Sequence, residues 1–118
     1  MDKRYIGDLG EDFAVNTLKD KGYIILSRNY LCKTGEIDII AKDKETFVFV
    51  EVKTRKNNFF GNPSEFVDFR KQKKIVSAAL FFLKTDAVDM RFDVFEVLYE
   101  MNGENFKVTD YNHIENAF

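Results

Sequence analysis

"TGEIDIIAKDKETFVFVEVKTR" (Thr34–Arg55) sets two apolar runs on either side of the polar "KDKET", and each run carries acids where a core would want none. Glu36 and Asp38 stand in the first run, Glu51 in the second, and Lys53 just after it. Alternating runs rich in Val, Ile and Phe predict two strands, at about 36–43 and 46–53. With Lys44 and Glu45 as the connecting pair, Asp38 falls opposite Glu51 and Glu36 opposite Lys53. Strand side chains alternate between faces. One face then reads Glu36, Asp38, Ile40, Phe49, Glu51, Lys53, and the other Ile37, Ile39, Ala41, Val48, Val50, Val52. The second face is plain core. The first raises a problem.

Two carboxylates at ~5 Å repel by roughly 3 kcal/mol at an effective dielectric of 20. A good cross-strand pair contributes only ~0.2–1 kcal/mol, so packing cannot absorb the cost. Either one acid holds a proton, or solvent screens the pair, or a cation sits between them. The plain alternative is a wet, charged strand face. Against it, Asp is depleted in strands, and "EIDII" places one inside an apolar run. A divalent metal is the reading that also explains Lys53 on the same face.

Outward from this hairpin, Ile6, Phe13, Ala14, Thr17 and Leu18 recur at helical spacing, and Lys21-Gly22 supplies a stop, which predicts a helix at about 4–21. Gly7 and Gly10 inside it are costly for a helix and suggest close approach to another backbone. "YIILSRNYL" (Tyr23–Leu31) is a strand. "NNFFGNPS" (Asn57–Ser64) is a loop, and Ser64 can cap a helix running to about Lys84 with a stripe of Val76, Ala79, Leu80 and Leu83. A last hairpin turns at Asn102-Gly103. The order is α-β-β-β-α-β-β, an α/β fold in one domain spanning 1–118.

Apolar residues make up 45% of the chain and charged ones 32%, the balance of a soluble globular protein. Its longest apolar run, Val76–Leu83 broken only by Ser77, falls far short of the ~20 residues that span a bilayer. The start, "MDKRYIGDLGEDFA", lacks the hydrophobic region of a signal peptide, so the expected location is cytoplasmic, with no membrane partner. Cys32 and His113 are each the sole residue of their type. That excludes an internal disulfide, a cysteine zinc cluster and a His-rich metal site. Any metal would be held by oxygens, which favours Mg²⁺, Mn²⁺ or Ca²⁺. Net charge is −2, yet Lys53–Lys74 carries a local +5 and Asp86–Phe118 a local −6. The first segment could aim one face at phosphate; a solvated helix face explains the charge as readily.

An acid in one strand and Glu-x-Lys in its neighbour resembles the PD-(D/E)xK pattern of restriction-endonuclease-like nucleases. More closely, "GEDFA" (Gly10–Ala14), "GY" (Gly22-Tyr23), "GEIDIIA" (Gly35–Ala41), "FVEVKTR" (Phe49–Arg55), "KKIVSAALFFL" and "RFDV" (Arg91–Val94) resemble the YraN-type family of bacterial proteins. Archaeal Holliday-junction resolvases are similar in arrangement. The resemblance implies a three-layer core with a mixed sheet between helices. It also implies a Mg²⁺- or Mn²⁺-dependent endonuclease acting on DNA, branched or repair intermediates included. Asp38 and Glu51 would ligate the metal with the Val52 carbonyl, Lys53 would position or deprotonate water, and Glu11 would stand nearby. Gln72 resembles a glutamine that some nucleases of this fold set beside the lysine.

Arg55, Arg70, Lys71, Lys73 and Lys74 are candidates to track a phosphate backbone. Phe59 and Phe60 could contact bases or a second subunit, or tuck onto the core. Thirteen phenylalanines exceed what one small core readily buries, which favours a homodimer. A nucleic-acid-binding module without turnover, or an interaction domain with no affinity for DNA, stays open as an alternative.

Overall fold

Both sides of the central strands are apolar, so the sheet needs a cover on each face. A computed structural model, which describes residues 2–58 and 67–118, supplies two. Helix α1 (Lys3–Asp20) leads into strands β1 (Ile24–Cys32), β2 (Gly35–Asp43) and β3 (Thr46–Lys56). Helix α2 (Phe69–Leu83) then crosses to β4 (Met90–Asn102) and β5 (Asn105–Ile114). The five strands lie in sequence order, with β3 and β4 parallel and the other neighbours antiparallel. Parallel neighbours cannot be joined by a tight turn, and α2 makes the crossover.

Ala14, Val15 and Leu18 of α1 pack against Ile39, Ala41, Val48, Val50, Phe95 and Val97. Ile75, Ala78 and Ala79 of α2 pack on the opposite face, against Ile37, Ile40, Phe49 and Val94. The result is the expected α/β sandwich of helix, mixed sheet and helix, in the expected order. No helix among the described residues is long and apolar enough to cross a membrane.

Two local expectations are corrected. Helix α2 starts at Phe69, and Asp68 caps it, its carboxylate accepting the Lys71 backbone N–H at 2.8 Å. Ser64, Phe59 and Phe60 lie outside the described residues. The buried stripe of α2 is Ile75, Ala78 and Ala79, while Leu80 is exposed. Apolar residues wrap most of this helix, so spacing alone could not choose the buried side.

Gly7 has open space around it, whereas a Cβ on Gly10 would sit 2.0 Å from Thr54 Oγ1. We therefore expect the two glycines to respond with opposite signs. Gly7→Ala gains about 0.5–1 kcal/mol from helix propensity. Gly10→Ala loses about 1–2 kcal/mol, because overpacking against β3 outweighs that gain. Urea midpoints for the two variants read the difference directly.

The central hairpin keeps the expected register, from Asp43↔Thr46 to Ile39↔Val50, around a turn in which Lys44 takes a left-handed φ of 55°. There the pairing stops. The expected opposition of Asp38 and Glu51 is not made, because the Asp38 carboxylate itself accepts the Val52 N–H at 2.8 Å. On the other side, the β1–β2 ladder steps from Arg28↔Ile39 to Tyr30↔Ile37, past Asn29 in a left-handed φ of 52°. Asn tolerates that conformation better than most residues. Strict alternation fails here as a consequence: Ile37 joins Ile40 on the α2 face, and Asp38 opens toward α1.

Candidate active site

Asp38 lies at the floor of an open groove of about 1160 Å³ between the first half of α1 and the ends of β2 and β3. Gly7, Asp8 and Glu11 of α1 line it, with Asn29, Glu36, Val52, Thr54 and Tyr99. Lys3, Arg4, Arg55 and Lys56 line it as well, giving cations around an acidic floor. Desolvation pushes the Asp38 carboxyl up to about 7, and the charges of Glu51 and Glu11 push the same way against the Val52 hydrogen bond. The like-charge conflict read from the sequence is thus present in the electrostatics of Asp38, although the two acids are not paired across the strands.

Glu51 is 6% exposed and lies on the α2 side. Its Oε1 takes Lys71 Nζ at 2.5 Å and stands 3.6 Å from Lys53 Nζ. Burial draws Lys53 below the usual lysine range, and the positive charge of Lys71 adds to that. For Lys71 burial acts in the same direction, but its bond to Glu51 and that residue's charge prevail and raise it.

Glu11 is also buried, and burial raises its carboxyl while Arg28 opposes the shift. Arg28 Nε and Asn29 Nδ2 both donate to its Oε1, at 3.1 and 3.0 Å. The left-handed turn of β1 at Asn29 therefore holds α1 and frees Asp38 together. Sequence reading missed both clamps, since nothing in "SRNY" marks Asn29 as a break. It also missed Glu96, which is the ladder partner of Lys53 in β4 and only 4% exposed. Its Oε1 accepts from Asn112 Nδ2 at 3.4 Å, and its Oε2 has no hydrogen-bond partner among the described residues.

The remaining candidates divide. Val52 and Arg55 line the groove. Gln72 is turned away, donating to the Val67 carbonyl at 2.8 Å. Arg70, Lys73 and Lys74 are exposed on α2, with Lys73 Nζ 5.0 Å from the centre of the Phe69 ring. Lys71 is the candidate cation that reaches into the sheet, its Nζ 2.5 Å from Glu51 Oε1.

Among the described residues, no three His, Cys, Asp or Glu side chains gather into a ready cage for a metal. A site of only one or two carboxylates would suit Mg²⁺ or Mn²⁺ better than Zn²⁺, because Mg²⁺ binds through few carboxylates and keeps several waters. Asp38, a half-buried carboxyl driven toward its neutral form by desolvation and by like charges, is the kind of group that a dication would return to its anion. Glu51 would be the second donor. Glu11, already satisfied by Arg28 and Asn29, would stay behind them.

The profile of the family described as "Uncharacterised protein family UPF0102" matches residues 10–97. The chain belongs to this family. A UPF0102 protein of Clostridium botulinum (strain Hall) is 49% identical over 117 residues, covering 96% of this chain and 93% of its own length. A UPF0102 protein of Caldicellulosiruptor saccharolyticus is 47% identical over 121 residues and covers both chains completely. Membership of UPF0102 agrees with the resemblance to the YraN-type proteins. Glu11, Asp38, Glu51, Lys53, Lys71 and Glu96 all fall inside the UPF0102 match, whereas the groove cations Lys3 and Arg4 precede it.

Proposed function

We propose that this UPF0102 chain is a divalent-metal-dependent endonuclease that hydrolyses DNA phosphodiester bonds, branched or repair intermediates among them. The observation that carries the reading is Asp38: a half-buried carboxyl, raised to about 7 by desolvation and the charges of Glu51 and Glu11, in a groove edged with four cations. A bound Mg²⁺ or Mn²⁺ would supply a Lewis acid on the phosphate and a more acidic water. Asp38 and Glu51 would hold it, with the Val52 carbonyl as a further donor.

The chain's own groups do the rest. Lys53, drawn below its usual range, can hold the attacking water or offset charge as the transition state forms. Arg55 and Lys56, with Lys3 and Arg4, would track the backbone on the α1 side of the groove. Arg70, Lys73 and Lys74 would serve a strand running over α2. Exposed Phe69 and Phe81 on α2, at 70% and 56%, support a homodimer that covers them.

The test is cleavage of branched, nicked and single-stranded DNA with Mg²⁺ or Mn²⁺. Asp38→Ala and Lys53→Ala should each abolish it, and activity that survives both changes would remove this site from the chemistry. One observation favours a second reading, a binding module without turnover: Glu51 is already neutralised by two lysines. That module would bind DNA in a salt-dependent way, with no metal-stimulated cleavage.

A further inference from the structure

We propose that Glu96 is a positioning residue for Lys53, a second carboxylate to which the lysine's ammonium swings while Lys71 keeps Glu51. Its consequence for chemistry rests on the nuclease reading above; its basis is the packing of four charged side chains. Phe49 of β3 and Val94 of β4 both face α2. Strand alternation carries Glu51 and Lys53, two and four residues past Phe49, to the same side, and Glu96, two past Val94, with them. The parallel ladder then sets Lys53 directly beside Glu96.

Acceptors and donors are unevenly shared among the four. Glu96 is 4% exposed, and its Oε1 accepts from Asn112 Nδ2 at 3.4 Å on the β5 side. Its Oε2 is buried with no hydrogen-bond partner among the described residues. An unpaired buried carboxylate oxygen is costly, and it is a ready seat for a donor. Glu51 has the reverse problem, two ammonium groups on one oxygen. Its Oε1 takes Lys71 Nζ at 2.5 Å, whereas Lys53 Nζ stands at 3.6 Å, beyond ordinary hydrogen-bond length. Lys53 corrects both faults by rotating its flexible stem, with the backbone left in place. The groups then form two matched pairs, Lys71 with Glu51 and Lys53 with Glu96. In the proposed reaction, Glu96 fixes how far the Lys53 ammonium travels and so where it meets the attacking water.

Glu51→Gln tests this without DNA, because it keeps the side-chain shape, removes the charge and leaves Glu96 as the carboxylate beside Lys53. A crystal structure of that variant should show Lys53 Nζ within about 3.2 Å of Glu96 Oε2. A Lys53 that keeps its place beside residue 51, or turns to solvent, would overturn the proposal. Cleavage kinetics on chains with the natural Glu51 supply a second measure. Glu96→Gln should lower kcat about tenfold with KM unchanged, the cost of a misdirected group in an otherwise complete site. Glu96→Asp, which keeps the charge, should recover most of that loss. Equal losses in both variants, or a natural rate in Glu96→Gln, would overturn the role of Glu96. A natural chain that cuts no DNA would overturn the nuclease reading and the share of Glu96 in it, while the Glu51→Gln structure still decides the pairing.

Discussion

Asp93→Ala should lower folding stability by about 3–5 kcal/mol, the loss that follows when one partner is removed from a buried ion pair. Asp93 is fully buried, and its carboxylate serves three donors. Arg91 Nε lies 3.2 and 3.3 Å from its two oxygens, His113 Nε2 2.8 Å from Oδ2, and the Asn116 backbone N–H 3.1 Å from Oδ1. The Lys21 ammonium, 3.0 Å from His113 Nδ1, can only donate, so Nδ1 accepts and the proton sits on the nitrogen that faces Asp93. Arg91 also reaches Tyr23 OH, Asp43 and Glu115. This one carboxylate thus joins β4, β5 and the segment after β5. Without it, a buried ring nitrogen and a guanidinium lose their acceptor. A drop in melting temperature on the order of 15 °C is expected, and it is read by thermal melts beside Asp93→Asn, which keeps the shape and should lose less. A loss below about 1 kcal/mol for Asp93→Ala would show that solvent or a rearranged Arg91 replaces it.

Asp38→Asn should act in the opposite direction, stabilising the fold by about 2 kcal/mol at pH 8. The sign follows from the raised carboxyl. Asp38 titrates near 7 when folded and near its ordinary 3.8 when unfolded. Between those values the folded chain binds more protons, so the natural protein loses stability as pH rises through that window. Asn cannot ionise and therefore escapes the loss, while its side-chain oxygen can still accept the Val52 N–H. The gain should be full above pH 7 and vanish below about pH 4. Melting both proteins across that range without metal checks it. A gain that does not change with pH would mean the carboxyl is not in conflict with Glu51 and Glu11. The same substitution should abolish cleavage, so greater stability bought with lost activity would mark Asp38 as a strained functional group.

Much of this was legible in the sequence, for identifiable reasons. The central hairpin was legible through its apolar face, which leaves few alternatives, although Lys44-Glu45 is not a favoured two-residue turn and did not by itself fix the register. The last hairpin was equally clear, since Gly103 at φ 63° takes the first of two turn positions between Asn102 and Asn105. Asp38, Glu51 and Lys53 could be singled out because acids in apolar strands are conspicuous. Their arrangement could not. Alternation presumes a regular ladder, and one left-handed residue in the neighbouring strand breaks it. The link from Lys71 to Glu51 was hidden for another reason: it joins residues on different elements whose approach depends on how α2 docks. Arg28 and Asn29 look like surface residues until α1 is laid over them.

The irregular backbone of β1 has one further effect. Its outer side is an edge of the sheet, and hydrophobic Ile24 and Leu31 are exposed along it, a ready template for a stray strand from another chain. The register shift between Ile25 and Ser27 and the left-handed Asn29 break the row of free amides and carbonyls into pieces too short to zip onto. The kink that exposes an aspartate on one flank thereby discourages fibrous growth on the other, so regularising this strand to tidy the fold would invite the protein to polymerise.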